Sequence, residues 1–127
     1  YTSYSAYKKK EADMQNLSIV RGTRFPFSVK LTDALGDRLE LDEGDVLLFG
    51  VKRFPEHKKY QFLKKLTKDD YNEQIGGYIF EIKPEDTKDF VFDKYYYDIG
   101  LQTAEGDFYT VVECSILEIR PGITAKI

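Results

Sequence analysis

The fold is decided by residues 94–119, KYYYDIGLQTAEGDFYTVVECSILEI. Along the first part of this stretch, every second position holds a large apolar side chain, namely Tyr95, Tyr97, Ile99 and Leu101. A period of two is typical of a strand that buries one face. Residues 104–107, AEGD, predict a hairpin turn. The apolar residues of 108–119 change phase partway along, which predicts a long last strand with a bulge.

Shorter runs of β-branched and aromatic residues precede this hairpin, separated by clusters of Gly, Pro, Asp and Asn. They cover residues 17–20, 25–32, 46–54, 60–66 and 78–82. Pro84 followed by two acids predicts a single helical turn, because proline and carboxylates both favour the first turn of a helix. About seven strands with turns between them, and no long amphipathic helix, predict a two-sheet sandwich or a small barrel.

The length of 127 residues corresponds to one domain. We expect this domain to cover residues 14–127. Residues 1–13 lack the apolar stretch of a signal peptide. Because the one methionine, Met14, comes directly before the first apolar run, we expect these residues to be an N-terminal arm or a segment added for expression. The net charge of −3 does not indicate a nucleic-acid binder. The sequence has no apolar run long enough for a membrane helix.

Few side chains in the sequence could carry chemistry. The one histidine, His57, lies in a predicted loop tip, whereas a nucleophilic triad or a histidine metal site needs a walled cleft. Cys114 is the one cysteine, so it has no partner for an internal disulfide, and we expect it to be a small buried apolar group. The acidic clusters at residues 42–45, 69–73 and 85–86 lack the spacing of a calcium loop. The sequence therefore predicts a protein that is not an enzyme, with no catalytic residue, metal or cofactor.

Charge is distributed unevenly in one segment. Residues 52–68, termed the basic hairpin, contain seven basic side chains and a single acid. The basic residues are Lys52, Arg53, Lys58, Lys59, Lys64, Lys65 and Lys68. Phe54, Tyr60 and Phe62 are interleaved with them. Three interpretations are open: lysines that keep a sheet edge from pairing with other chains, docking onto acidic loops of a neighbouring subunit, or a stacking platform for single-stranded nucleic acid.

Several motifs in a particular order resemble a known family. They are RGTRF at 21–25, a strand at 46–52 that ends in VK, PEDT at 84–87, YYYDIGL at 95–101 and GDFYT at 106–110. Their order is similar to that of the immunoglobulin-like domain at the N-terminus of phage baseplate upper proteins and related tail components. The resemblance implies an all-β fold, an immunoglobulin-like two-sheet antiparallel β-sandwich with one short helical turn, and it brings no catalytic residue.

The resemblance also implies a function. It suggests a non-enzymatic structural module of a phage or prophage tail, a virion component assembled in the bacterial cytoplasm. Its partners would be other tail or baseplate proteins and further copies of itself, with no membrane or nucleic acid involved. Within the basic hairpin, we expect the partner contact at Lys52, Arg53, Lys58, Lys59, Lys64 and Lys65. The alternative is a carbohydrate- or surface-binding module of a bacterial cell-surface protein, which would use Tyr71, Tyr96 or other loop aromatics as a stacking platform.

Overall fold

The computed structural model describes residues 16–33, 35–91 and 93–123, so the predicted arm at 1–13 lies outside it. The described strands are β1 (Leu17–Val20), β2 (Phe25–Val29), β3 (Leu31–Thr32), β4 (Arg38–Leu39), β5 (Val46–Lys52), β6 (Phe62–Leu66), β7 (Tyr78–Ile82), β8 (Asp93–Gln102) and β9 (Phe108–Arg120). The helical elements are a 3₁₀ turn at Lys68–Asp70 and α1 (Pro84–Thr87). Neither of these described helices has the length or apolar character needed to cross a membrane.

The strands form two main layers. One is a five-stranded sheet in the order β1-β9-β8-β5-β6, and the other pairs β2 with β7. A short hairpin of β3 and β4 follows β2. Each described pairing is antiparallel except that of β1 with β9, which is parallel. Buried side chains from both layers make one core cluster. The predicted two-sheet sandwich is therefore confirmed, with one parallel pair that the sequence did not predict.

Aromatic rings fill the space between the layers. Phe49 of β5 is fully buried, and its ring centre lies 5.0 Å from that of Phe27 and 5.4 Å from that of Phe80. The rings of Tyr97 and Phe62 lie 5.6 and 5.7 Å from it. These pairs are tilted or edge-to-face, which the charge distribution of aromatic rings favours. The five rings, termed the aromatic core, join β2 and β7 to β5, β6 and β8.

The start of β8 has a further distinctive contact. Tyr95 is buried, and its hydroxyl accepts a hydrogen bond of 3.0 Å from the backbone amide of Val91. Immunoglobulin domains have such a tyrosine corner on the strand before the last one, and antibody domains place a disulfide cysteine two residues later. In this chain Tyr97 stands at that later position and belongs to the aromatic core. The fold is therefore an immunoglobulin-like sandwich in which an aromatic ring stands where antibody domains have the second cysteine of their disulfide.

The predicted helical turn is confirmed as α1, which joins β7 to β8. The Asp86 carboxylate accepts a hydrogen bond from the backbone amide of Lys83 at 2.8 Å and pairs with the Lys64 ammonium at 2.7 Å. The Thr87 hydroxyl is buried and accepts a hydrogen bond from the amide of Gly22 at 2.9 Å. This one turn thus connects β6, the β1–β2 turn and the end of β7.

The single strand predicted at residues 25–32 is wrong in detail. The strand is interrupted at Lys30, so that β2 pairs with β7 whereas β3 pairs with β4. The cause lies in the turn that follows, where the Asp33 carboxylate accepts hydrogen bonds from the amides of Leu35 and Asp37, each at 2.9 Å. These bonds fold the chain back at once and draw Leu31–Thr32 into the local hairpin.

The predicted bulge in the last strand is confirmed, but the predicted burial of Cys114 is wrong. Tyr97 pairs with Ser115 and Ile99 pairs with Val112, so one residue of β8 faces two residues of β9. Ser115 and Val112 are both buried. The extra residue shifts the phase of β9, and as a result Cys114 is exposed.

Candidate interaction surface

The basic hairpin occupies one edge of the larger sheet. β5 lies inside that sheet, whereas β6 is its outermost strand. The loop at residues 53–61 joins the two strands and is exposed over most of its length. Backbone hydrogen bonds hold it at two points, from the His57 amide to the Phe54 carbonyl at 3.1 Å and from the Gln61 amide to the Val51 carbonyl at 2.7 Å. The loop is therefore a defined structure at a sheet edge.

The alternation of β6 orients its side chains. Phe62, Lys64 and Leu66 are half-buried, whereas Leu63 and Lys65 are exposed. The Phe62 ring packs into the aromatic core, as described above, and this contact sets which side of β6 faces inward. Lys65 consequently projects from the outward face, meaning the face of the larger sheet that is turned away from the core.

Arg53 ties the start of the loop to the start of β8. Its guanidinium donates a hydrogen bond to the Lys94 carbonyl and lies 3.4 Å from the Asp93 carboxylate. The same group lies 4.8 Å from the ring centre of Phe54 and 4.9 Å from that of Tyr95. The pKa of the Asp93 carboxyl is lowered, first by the Lys94 amide and then by Arg53. Arg53 is thus used within the domain.

Two further residues of the predicted contact also have partners inside the chain. The Lys52 ammonium lies 4.8 Å from the centre of the Tyr60 ring, a cation–π distance. Lys64 forms the ion pair with Asp86 and lies 5.6 Å from the ring centre of Phe62. Their charges therefore stabilise the hairpin itself.

Lys58, Lys59 and Lys65 differ from these three residues. All of them are exposed, two in the loop and one on β6. Within the described part of the chain, no hydrogen bond, ion pair or ring contact involves their side chains. The structure thus divides the predicted set of six into three residues that anchor the hairpin and three with free ammonium groups.

Aromatic side chains accompany the free lysines. Phe54 is 41% exposed and Tyr60 is 45% exposed, which is high for rings of this size. His57 is exposed in the loop, as predicted, and its ring meets that of Phe54 edge-to-face at 5.1 Å. Exposed rings next to lysines make this loop a surface with both apolar and cationic character.

The acidic clusters serve as turns. Asp45 is buried, and its carboxylate accepts hydrogen bonds from the amides of Asp42 at 2.9 Å and Ala104 at 3.1 Å. Asp70 accepts a hydrogen bond of 2.8 Å from the amide of Thr67. In the described ranges no group of three or more His, Cys, Asp or Glu residues is placed to hold a metal ion.

The two tyrosines of the alternative prediction do not share a surface. Tyr71 is half-buried against the core, edge-to-face with Tyr78 at 5.5 Å. Tyr96 instead lines a small pocket of about 160 Å³ on the outward face, together with Lys52, Tyr60 and residues of β8 and β9. Sequence reasoning missed this pocket, although the alternation of β8 already placed Tyr96 and the residue two positions later on one face.

No family model matches this chain, and no curated protein matches it. Twelve chains of solved structures match. One of them, a structure of murine CRIg, is 12% identical, with a TM-score of 0.39 over 86% of this chain and 93% of that chain. The fold assignment rests on the strand order, the aromatic core and the tyrosine corner of the chain itself.

Proposed function

We propose that this chain is a non-enzymatic assembly module of a phage or prophage tail protein of the baseplate type, and that it binds an acidic protein partner through the basic hairpin. One observation carries the proposal. The hairpin presents three free ammonium groups, two in its loop and one on β6, together with two exposed rings in the loop, and the ends of that loop are fixed by Arg53 and by backbone hydrogen bonds. A fixed loop loses little conformational entropy when it binds.

The positions of the free lysines distinguish docking onto a partner from protection of the sheet edge. Lys65 lies on the edge strand, where a charge hinders pairing with another strand. Lys58 and Lys59 lie in the loop, beyond the residues of β6 that could extend the sheet. Edge protection gives no reason for charges there, whereas a contact with an acidic partner does. The exposed Phe54 and Tyr60 would supply the apolar part of such a contact.

The tail context is supported by the sequence resemblance. The motifs at 21–25, 84–87, 95–101 and 106–110 follow the order of the domain from baseplate upper proteins. In the folded chain the first of these motifs leads into β2, the second forms α1, and the last two form the β8–β9 hairpin. On this proposal the protein resides in the virion tail, and its partners are other tail proteins or further copies of the chain.

Charge reversal tests the contact. The variant Lys58→Glu, Lys59→Glu, Lys65→Glu changes the three free lysines and leaves the Lys64–Asp86 ion pair intact. We expect it to fold normally and to lose co-purification with the proteins encoded beside it, because the charge complementarity of the contact is inverted.

A matched control carries the same change of charge at another surface. The exposed residues Arg38, Lys83 and Lys88 are each replaced by glutamate in that variant, and it is expected to retain the partner. Retention of the partner by the triple variant of the basic hairpin would contradict the proposal. So would capture of single-stranded DNA in place of a protein, with the salt dependence of phosphate contacts.

A further inference from the structure

The small pocket on the outward face is separate from the three free lysines. It lies over neighbouring strands in the middle of the larger sheet, where Gly50 pairs with Asp98 and Lys52 pairs with Tyr96. These two pairs are adjacent rungs on one face of the sheet, so their side chains lie within reach of one another. The volume of about 160 Å³ suits one small ring or one side chain.

Gly50 shapes the floor of the pocket. A Cβ atom at this position would lie 2.6 Å from the Tyr60 ring and 3.4 Å from the Leu63 side chain. The absence of a side chain therefore lets Tyr60 lie against the sheet and form one wall. Tyr96 and Cys114 contribute other parts of the lining. The pocket thus combines aromatic walls with a backbone floor.

Two opposite charges converge on this pocket. The Lys52 ammonium is positioned by the Tyr60 ring. The Asp98 carboxylate has no hydrogen-bond or ion-pair partner among the described residues, and it forms no salt bridge with Lys52. The Asp98 residue is exposed overall, yet the pKa of its carboxyl is raised, because nearby atoms remove part of the water around the carboxylate, and Lys52 opposes this effect. The site therefore offers a hydrogen-bond acceptor and a hydrogen-bond donor, both charged.

The charges limit the class of ligand. A cationic group is attracted by Asp98, but it is also repelled by Lys52, whose ammonium already lies near the Tyr60 ring. An anionic group is attracted by Lys52 and repelled by Asp98. A neutral ring with adjacent hydroxyl groups meets neither repulsion, since one hydroxyl donates to the carboxylate and another accepts from the ammonium. Its C–H groups can pack against the tyrosine walls.

We propose that the pocket formed by Gly50, Lys52, Tyr60, Tyr96 and Asp98 binds one neutral sugar unit of a polysaccharide. Asp98 accepts hydrogen bonds from the sugar hydroxyls, Lys52 donates to a hydroxyl or ring oxygen, and the tyrosines contact the carbon skeleton. The site goes beyond the assembly function, because it shares only Tyr60 with the proposed partner contact and uses none of the three free lysines. It gives the module a means of contacting a glycan-covered surface.

Titration with sugars tests this site on the intact chain. A panel of neutral methyl glycosides, including hexoses and N-acetylhexosamines, is added while the backbone amides are followed by two-dimensional NMR. We expect saturable shifts at Gly50 and Asp98 with a millimolar Kd for at least one sugar, as is usual for a single small ligand with few contacts. Asp98→Asn is expected to weaken that sugar by about tenfold, since a charged hydrogen bond is lost.

Matched variants distinguish the site from general effects. Asp89→Asn and Lys94→Met change exposed residues outside the pocket, Lys94 being on the same strand as Asp98, and both are expected to keep the affinity. Lys52→Met is expected to weaken the sugar as Asp98→Asn does. The absence of shifts at Gly50 and Asp98 at about 50 mM of every sugar, far above a millimolar Kd, would overturn the proposal. Equal affinity of Asp98→Asn and the unaltered chain would do the same.

Discussion

Replacing Phe49 by alanine removes the ring at the centre of the aromatic core. Phe49 is fully buried and has four ring neighbours at 5.0 to 5.7 Å, drawn from both layers of the sandwich. Truncation of a buried Phe costs about 3–5 kcal/mol of unfolding free energy. We expect a value near the upper end, because favourable ring pairs contribute about 0.5–1.5 kcal/mol each beyond their buried area. For a domain stable by about 5–15 kcal/mol, this is a large share of the total.

Denaturant unfolding followed by circular dichroism measures the loss of unfolding free energy, and thermal unfolding measures the change in Tm. For a chain of this length a loss of 1 kcal/mol lowers the Tm by roughly 4 °C, so Phe49→Ala should melt about 15–20 °C below the unaltered protein. Phe54→Ala is the matched control, because Phe54 is 41% exposed in the loop, and it should lose less than about 1 kcal/mol. If the two variants lose the same stability, the aromatic core does not hold the layers together.

Three smaller perturbations test other parts of the fold. Tyr95→Phe keeps the ring but removes the acceptor of the Val91 amide; it should cost about 1 kcal/mol in chemical denaturation, and a neutral result would contradict a structural role for the tyrosine corner. Asp86→Ala breaks the ion pair with Lys64 and uncaps α1; about 1–2 kcal/mol should be lost, and the loss should shrink with added salt. Asp98 has a raised pKa in the folded state, so its contribution to stability is complete below its unfolded pKa and falls as pH rises through the folded pKa. Asp98→Asn should therefore gain stability relative to the unaltered chain as the pH rises from below the ordinary pKa of an aspartic acid to above the raised pKa of Asp98, whereas a constant difference would contradict the cause given for the shift.

The strands that alternate clearly could be predicted from the sequence. β8 buries Tyr95, Tyr97, Ile99 and Leu101, as its period of two indicated. β7 begins directly after two glycines, and α1 begins at Pro84. These features depend on local preferences, namely the alternation of side chains across a strand and the fit of proline to a first helical turn. Such local preferences can be recognised from a single sequence.

Other features depend on which strand pairs with which. The exposure of Cys114 follows from two residues of β9 facing Asp98, and β1 pairs in parallel with β9, which is distant from it in the sequence. The sequence indicated a bulge but not its position. The pocket also depends on pairing, because Gly50 opposes Asp98 only in the register that β5 and β8 adopt. The hydrophobic pattern of a strand determines which of its faces is buried, but it does not determine which strand becomes its neighbour.

The basic hairpin was visible as a charge pattern, but the roles of its residues were not. In the sequence Lys64 and Lys65 are equivalent neighbours. In the structure Lys64 turns inward to pair with Asp86, whereas Lys65 is exposed on the outward face. Arg53 and Lys58 differ in the same way, because Arg53 anchors the loop to β8 whereas Lys58 is exposed in that loop. Only the fold shows which charges remain available to a partner.

Lysine reactivity tests the assembly contact most directly. The isolated chain and the chain within its native complex are treated with an acetylating reagent, and the modification of each lysine is compared by mass spectrometry. The account predicts that Lys58, Lys59 and Lys65 become about tenfold less reactive in the complex, because an interface of ordinary size excludes solvent at its centre. Lys83 and Lys88, which are exposed elsewhere on the domain, should react equally in both samples. Unchanged reactivity of the three hairpin lysines in the complex would contradict the account.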